Sequence, residues 1–330
     1  MNLDEKIFLT GGKGMVGSAI KRILIKKGYG NPELGGKIFC PTRHQLDLIN
    51  YNDLEDWFRL NKPTVVIIAA AKVGGILANS EKPYDFIFEN LKIETNIIEL
   101  SRKFAVKKIL FLGSSCIYPK LSKQPIFEEY LLESPLEETN QWYALAKIAG
   151  IKLCESLYYQ HGINAISLMP CNLFGPGDNY DLSTSHVLPA LIRKFQTAKN
   201  NNQDQVKCWG TGNPLREFLY VDDLADACIF ALKNWDITSK NAPLDSSKKK
   251  LFWLNVGSGK EISIRDLAEK ISDLIKYEGE IIWDKDKPDG TPRKLLDSKR
   301  IRSLGWQPKV SLENGIKFAI EDFNKLIIDN

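Results

Sequence analysis

Residue types that can reduce a carbonyl group occur together in two segments, SSCIYPK and WYALAK. Tyr143 and Lys147 are four residues apart, so both project from one face if the segment is helical. A tyrosine hydroxyl with a pKa near 10 is a poor proton relay, but an ammonium about 4 Å away could lower that pKa by up to about three units. Ser114 or Ser115 could donate a hydrogen bond to a substrate carbonyl. These residues predict carbonyl reduction and leave Cys116 unexplained.

A glycine-rich segment, TGGKGMVGSAI (10–20), is suited to bind the phosphates of a dinucleotide. It comes after an apolar strand and precedes a helix. It fits G-x-G-x-x-G on Gly12, Gly14 and Gly17, and it equally fits G-x-x-G-x-x-G with Gly11 in first place. Glycine lets the backbone approach a pyrophosphate, and the helix N-terminus offers free N–H groups with a partial positive charge.

The type of dinucleotide depends on the residues after the second predicted strand. An NAD-specific site usually has an acidic residue there, which binds the ribose 2′-hydroxyl. This chain continues as CPTRHQLDL, with Arg43 in that region and Lys13 inside the glycine loop. Asp47 comes slightly late for the ribose and could contact the adenine. Because two cations suit a 2′-phosphate, we predict NADPH as the cofactor.

Short apolar segments alternate with amphipathic ones through the first half of the chain. The predicted strands cover 6–10, 37–40, 64–70, 107–115 and 164–169, and the predicted helices cover 14–28, 51–61, 84–104 and 142–161. Apolar strands separated by helices are typical of a parallel sheet covered on both faces. We therefore predict an α/β fold with a Rossmann-like doubly wound parallel sheet and a ligand at the carboxyl ends of its strands.

The alternation ends near residue 170. We expect NLFGPGDNYD to be a loop, 216–232 to be a strand and then a helix, and the polar segment 236–250 to be a surface loop. The prediction is a cofactor domain made of residues 1–175 plus about 216–250. A smaller α/β substrate domain would then comprise about 176–215 plus 251–330.

Composition limits the classes of function. The net charge of +4 is small and the charges are scattered, which argues against a nucleic-acid partner. The longest apolar run, VVIIAAA, is far shorter than the roughly 20 residues of a membrane span, and the first residues do not form a signal peptide. The six cysteines are isolated, with no CxxC pair. We expect reduced thiols, no metal site and a cytoplasmic location.

Several longer blocks resemble one known family. They are AAAKVGGI, LGSSCIYPK, YALAKIAGIKLCES, SHVLPALIRKF, WGTGNPLREFLYVDD and KPDGTPRKLLD, and they extend over nearly the whole chain. Together with the glycine loop they are similar to the GDP-L-fucose synthase family of extended short-chain dehydrogenase/reductases. The resemblance implies 3,5-epimerisation of GDP-4-keto-6-deoxy-D-mannose, NADPH-dependent reduction at C4, and a homodimer.

The resemblance also implies roles for individual residues. It gives reduction to Ser114, Tyr143 and Lys147, and it makes Cys116 and His186 the acid/base pair of the epimerisation. The glycine loop and the resemblance together place a larger set at the cofactor: Gly11, Lys13, Gly14, Met15, Val16, Gly17, Arg43, Lys147, Pro170, Cys171, Asn172, Leu173 and His186. The residues implied at the GDP-sugar are Lys194, Trp209, Arg216, Asp289 and Lys294.

Some positions depart from the family pattern or have a purely structural interpretation. Lys13 and Lys194 stand where the family commonly has arginine, which weakens a bidentate phosphate contact at position 194, and a bulky Trp142 precedes Tyr143. Apart from the family context, a strand-end cysteine or a single histidine is more often structural. The other cysteines are expected to be small core residues: Cys40, Cys154, Cys171, Cys208 and Cys228.

Alternatives stay open on the sequence alone. A GDP-colitose synthase would use the same scaffold on a 3-deoxy sugar and would invert only C5. A plain 4-epimerase retains its NAD and needs no Cys/His pair. A non-catalytic NADP-sensing protein would not need the complete Ser/Tyr/Lys set that this chain has.

Overall fold

The computed structural model describes residues 1–287 and 289–328, except for the side chains of residues 76 and 77. Pro288, in the KPDGTPRKLLD block, and the last two residues of the predicted substrate domain lie outside the described residues. The helices are α1 (Met15–Lys26), α2 (Tyr51–Asn61), α3 (Ile76–Glu81), α4 (Pro83–Lys103), α5 (Gln141–His161), α6 (Val187–Asn200), α7 (Val221–Asn234), α8 (Ile264–Ile275), α9 (Lys299–Ser303) and α10 (Leu312–Ile328). The strands are β1 (Lys6–Leu9), β2 (Lys37–Phe39), β3 (Val65–Ile68), β4 (Lys108–Leu112), β5 (Asn164–Pro170), β6 (Asn172–Phe174), β7 (Gln205–Trp209), β8 (Leu215–Tyr220), β9 (Trp253–Val256), β10 (Glu261–Ser263), β11 (Glu280–Asp284) and β12 (Arg293–Lys294).

A parallel six-stranded sheet in the order β2-β1-β3-β4-β5-β9 forms the centre of the molecule. Its middle strands are buried on both faces; every residue of β3 is buried, for example. This is the predicted Rossmann-like α/β fold, which the structure confirms. The strand order reverses beside β1, so the glycine loop after β1 lies at the edge where such sheets bind ligands.

A second apolar core lies apart from the first. It is built from α6, α8 and α10 together with strands β7 and β8. Around it β8 pairs with β6, β10 and β12, and β7 pairs with β11. The predicted smaller α/β unit therefore has its own sheets and its own core.

The detailed boundaries differ from expectation in three places. Residues 172–174, expected to be loop, form β6 because they pair with β8. In the segment 216–232 the strand joins the small sheet, whereas α7 packs against α1 of the large unit. Finally, β9 completes the large sheet beside β5, although we had placed residue 251 onward in the substrate domain. Its apolar residues Trp253, Leu254 and Val256 are buried in the first core.

No helix among the described residues has both the length and the apolar character needed to cross a membrane.

Candidate active site

The glycine loop is shaped by close contacts that a side chain would block. Gly11 has φ +73, and a Cβ there would lie 2.8 Å from the backbone nitrogen of Ala70. A Cβ on Gly12 would meet the Cys40 sulfur at 1.7 Å, and one on Gly17 would meet the Gly11 carbonyl oxygen at 2.2 Å. Glycine is therefore required at Gly11, Gly12 and Gly17, because a side chain at any of them would clash. These three positions include members of both glycine patterns.

Gly14 differs from the other loop glycines. A Cβ there would have an ordinary contact of 3.5 Å, so the protein itself does not demand glycine at this position. Gly14 caps the N-terminus of α1 without a side-chain hydrogen bond, and Met15 and Val16 form its first turn. The first-turn N–H groups and an open Cα surface fit the pyrophosphate of a dinucleotide.

The two cations expected at the 2′-phosphate lie on the surface. Lys13 and Arg43 are both exposed, and neither forms an ion pair with another described residue. Cys40, expected in the core, is instead half-buried beneath the glycine loop, and burial raises the pKa of its thiol. Among the other cysteines expected in the core, Cys154, Cys171, Cys208 and Cys228 are buried.

A short 3-10 turn at the carboxyl end of β4 arranges the reductase residues. Residues Ser115–Ile117 form this turn, and the Ser114 hydroxyl oxygen accepts a hydrogen bond from the Cys116 N–H at 3.2 Å. The Ser114 hydroxyl also hydrogen-bonds Tyr143, from the first turn of α5. Because the Ser114 oxygen accepts from the backbone, its single proton is available to the phenol or to a substrate carbonyl.

Lys147 pairs with a carboxylate in this structure. Its Nζ atom is 2.9 Å from Glu94 Oε1 on α4 and 5.9 Å from the centre of the Tyr143 ring. Burial is the largest cause that raises the pKa of Tyr143, and the negative charges of Cys116 and Glu94 raise it further. The pKa of Tyr143 is therefore raised in this arrangement, whereas the sequence suggested that Lys147 could lower it.

Four side chains predicted for epimerisation or substrate binding interact electrostatically with this turn or with one another. They are His186, Arg216, Asp289 and Lys294. Burial lowers the pKa of the Arg216 guanidinium, opposed by the charges of Asp289 and Cys116. Arg216 and Lys294 are neighbours in register on β8 and β12. Burial also lowers the pKa of His186, and the charge of Lys294 adds to this effect. These couplings link the Cys116 thiol to Arg216 and the His186 imidazole to Lys294, and the two cations are neighbours.

His186 occupies the N-cap position of α6, and its side chain makes no capping hydrogen bond. The residue keeps an exposed surface although protein surrounds it closely enough to shift its pKa. The side chain is therefore open to solvent on one side and close to protein, including Lys294, on the other. The preceding loop is fixed against the AAAKVGGI segment, since the Gly75 N–H donates to the Thr184 carbonyl at 3.1 Å.

Lys194 and Trp209 form a second cluster near the cleft. The Lys194 ammonium donates to the Lys207 carbonyl at 2.8 Å and lies 5.5 Å from the Trp209 ring, which is 58% exposed. Asp289 is tied to this cluster through the Thr211 N–H and hydroxyl, at 2.7 and 2.8 Å.

Lys287 is a member of this cluster to which the sequence analysis gave no role, although it begins the KPDGTPRKLLD block. Its ammonium is also 5.5 Å from the centre of the Trp209 ring. The block alone does not distinguish Lys287 from nearby lysines such as Lys285, so only the folded chain shows its position.

The segment from Pro170 to Leu173 connects the two units at the end of β5. The Cys171 N–H donates to the Val256 carbonyl at 3.0 Å, and the Asn172 side-chain amide donates to the Glu217 carbonyl at 2.8 Å. The Cys171 side chain is buried in the core, so it is not placed to meet a ligand. Among the described residues no cluster of His, Cys, Asp and Glu suits a metal ion.

A nucleotide loop, a Ser/Tyr/Lys group and a basic cleft on a doubly wound sheet define a nucleotide-dependent oxidoreductase or epimerase. The family model for the NAD dependent epimerase/dehydratase family matches residues 7–242. The chain therefore belongs to this family.

Within this family, the chain is similar in sequence to enzymes named as GDP-sugar synthases. GDP-L-fucose synthase 1 of Arabidopsis thaliana is 52% identical over 95% of this chain and 91% of the relative. GDP-L-fucose synthase of Escherichia coli strain K12 is 47% identical over 97% of this chain and 96% of the relative. GDP-L-colitose synthase of Yersinia pseudotuberculosis is 35% identical over 96% and 97%. Among solved structures, a GDP-mannoheptose C4 reductase from Campylobacter jejuni with NADP bound has a TM-score of 0.86 and 36% identity, covering 98% of this chain and 99% of that one.

Proposed function

We propose that this protein is a GDP-L-fucose synthase, which inverts C3 and C5 of GDP-4-keto-6-deoxy-D-mannose and then reduces C4 with NADPH. The observation that carries the proposal is that Cys116 lies close enough to act electrostatically on both Tyr143 and Arg216, while His186 lies within electrostatic reach of Lys294, the register neighbour of Arg216. A simple reductase needs only the serine, tyrosine and lysine. A thiol and an imidazole in the same cleft supply the additional acid and base that an epimerisation requires.

The chemistry assigns a task to each side chain. A ketone at C4 acidifies the C–H bonds at C3 and C5, so each inversion requires one group to remove a proton and another to return one to the opposite face. Cys116 would remove the proton and His186 would return one, and the lowered pKa of His186 makes its protonated form a stronger acid. The Ser114 and Tyr143 hydroxyls stabilise the enolate oxygen between the two steps.

The reduction then occurs at the same oxygen. Bound NADPH would supply the hydride that C4 accepts, and the glycine loop with the first turn of α1 would hold its pyrophosphate. Tyr143 then gives its phenolic proton to the C4 oxygen. The raised pKa of Tyr143 keeps the proton on the phenol until the hydride arrives, and the Ser114 hydrogen bond opposes this rise and so favours release of the proton. Arg216 and Lys294 neutralise the diphosphate of the substrate.

An assay with purified protein tests the proposal. NADPH oxidation would be monitored with GDP-4-keto-6-deoxy-D-mannose, and the product would be identified by NMR. GDP-L-fucose is the expected product. A product with an uninverted C3, or a clear preference for the 3-deoxy substrate, would favour a colitose synthase, whose identity of 35% is below the 52% of a fucose synthase. Binding of NADPH without turnover of either sugar would favour the non-catalytic alternative.

A homodimer is part of the proposal. The outer surfaces of α4 and α5 expose stacked Tyr84 and Phe88, as well as Trp142 and Leu145. Such apolar residues on two adjacent helices are suited to pack against the same helices of a second copy. Light scattering of the purified protein would give the oligomer size. A cytoplasmic location and the division into two domains remain predictions from the sequence.

Arg216→Ala is expected to raise the KM for the GDP-sugar about ten- to a hundredfold with a smaller change in kcat. The physical reason is that a charge-assisted hydrogen bond contributes about 1.5–3 kcal/mol, and a diphosphate contact is equal in the ground and transition states. Steady-state kinetics would measure this. Arg293→Ala is the matched control, because Arg293 lies on the adjacent strand and pairs with Glu261. An unchanged KM would remove Arg216 from the diphosphate site.

Arg43→Ala is expected to weaken NADPH binding about ten- to a hundredfold while leaving NADH binding nearly unchanged. Only NADPH carries the 2′-phosphate, and the loss corresponds to one charge-assisted contact of about 1.5–3 kcal/mol. Fluorescence titration of both cofactors would measure the effect. Arg59→Ala, another exposed arginine that pairs with Glu55, should change neither affinity. Equal affinity of the unmodified protein for NADPH and NADH would contradict the cofactor assignment.

A further inference from the structure

A buried ion pair behind the reductase residues takes no part in the proposed proton and hydride transfers. Glu94 on α4 and Lys147 on α5 are 1% and 2% exposed at their side chains, and Oε1 and Nζ are 2.9 Å apart. Neither carboxylate oxygen of Glu94 has a well-directed hydrogen bond from a described residue. The contact is therefore mainly one of charge, and removing either partner would leave an uncompensated charge away from water.

The surrounding residues form a fitted slot for this carboxylate. A Cβ on Gly150 would lie 2.9 Å from Glu94 Oε2 and 2.5 Å from the Phe111 ring. The Lys147 ammonium lies 4.6 Å from the centre of the same ring. Glycine on α5 thus lets the two helices approach closely enough for Glu94 to reach a residue of the reductase group.

The charged and titratable groups around the pair connect it to the site. On α5 they are Lys147, Tyr143 and Cys154; from the turn after β4, Cys116 acts on Tyr143. Burial raises the pKa of Glu94, and Lys147 opposes this rise. The charge of Glu94 in turn raises the pKa of Tyr143. A change in the charge of the Glu94 carboxylate therefore affects both the Lys147 amine and the Tyr143 phenol.

We propose that Glu94 is a positioning residue for the reductase site: its buried carboxylate is the counter-charge that holds the Lys147 ammonium in place near Tyr143. This inference rests on the proposed reduction by Tyr143 and Lys147. It explains why a carboxylate is buried where an apolar side chain would complete the packing between α4 and α5. No sequence pattern indicated this role, because a glutamate in an amphipathic helix is expected on the exposed face.

Glu94→Gln keeps the size of the side chain and removes its charge. Without the carboxylate, the Lys147 amine should lose its proton at a pH about one unit or more lower. A unit charge about 4 Å away, at an effective dielectric of about 20, can shift a titration by up to about three units. Trace acetylation of the cofactor-free protein, analysed by mass spectrometry over a range of pH, would measure the midpoint for Lys147. The reactivities of exposed lysines in the same sample provide the internal reference.

The pH profile of C4 reduction gives a second measurement. Loss of the negative charge favours both a neutral amine and a phenolate, so the alkaline limb of the profile should move to lower pH, again by about one unit or more. Glu128→Gln is the matched control, because Glu128 is also fully buried and pairs with an arginine, Arg300, outside the site. This control should lower the thermal unfolding temperature without moving the limb. If a folded Glu94→Gln protein still shows the alkaline limb of the pH profile and the Lys147 acetylation midpoint of the unmodified protein, that result would overturn the proposal.

Glu94→Asp keeps the proposal testable if the glutamine variant does not fold. The shorter side chain retains the negative charge but places it farther from Lys147. The kcat should therefore fall about fivefold or more, with little change in the KM for the GDP-sugar. A smaller shift of the alkaline limb in the same direction should accompany this loss. Wild-type kcat in folded Glu94→Asp would contradict a positioning role. If the unmodified protein reduces no GDP-sugar at all, the proposed function fails instead, and the two failures are distinguishable.

Discussion

Tyr143→Phe is expected to lower the rate of C4 reduction about a hundred- to ten-thousandfold. The substitution removes only the hydroxyl, and a positioned general acid contributes about this factor to a proton transfer. Burial and the charges of Cys116 and Glu94 favour the protonated phenol, and the phenolate left after each proton transfer must regain a proton before the next turnover. Single-turnover oxidation of NADPH at saturating GDP-sugar would measure the rate of this step.

The variant should otherwise resemble the unmodified protein. The Tyr143 side chain is half-buried at the start of α5, and phenylalanine fills the same space. We therefore expect an unchanged circular dichroism spectrum and nearly unchanged NADPH affinity. Tyr159→Phe is the control, since Tyr159 lies on the same helix and is 66% exposed. Turnover near the wild-type rate in Tyr143→Phe would show that another group protonates the C4 oxygen.

Cys116→Ser is expected to slow the exchange of the C3 and C5 protons with solvent deuterium about a hundredfold or more, while slow reduction of C4 continues. Serine has nearly the same size, but its hydroxyl does not ionise near neutral pH, so the variant lacks a base at this position. The thiol lies beside the reductase residues, since its charge acts on both Tyr143 and Arg216. NMR of the sugar in deuterated buffer, first without and then with NADPH, would separate exchange from reduction.

The product of the cysteine variant should therefore contain uninverted centres. His186→Asn should slow the return of a proton, so exchange and net inversion need not fall by the same factor in that variant. Cys228→Ala, a buried thiol on α7 away from the cleft, is the control and should leave both rates unchanged. If Cys116→Ser exchanges and inverts both centres at the wild-type rate, the thiol only fills space.

Features that depend on residues close together in the chain were predictable without the structure. Apolar strands alternate with amphipathic helices, so the parallel sheet and its order of elements were evident from periodicity. The glycine loop was recognisable because its steric demands involve neighbours such as Gly11 and Gly17. The Tyr143–Lys147 pair was likewise recognisable, because four residues in a helix return a side chain to the same face.

The folded chain was needed to show how distant residues act on one another. Ser114 and Cys116 are two residues apart, but the rule that such side chains share one face of a strand does not apply to them. The strand ends at Leu112 and the cysteine lies in a 3-10 turn capped by the Ser114 hydroxyl. The sequence likewise placed Lys147 next to the phenol, whereas the packing of α4 on α5 brings it to Glu94. Burial and charge depend on contacts between residues 53 positions apart in the chain, such as these two, and no local pattern records them.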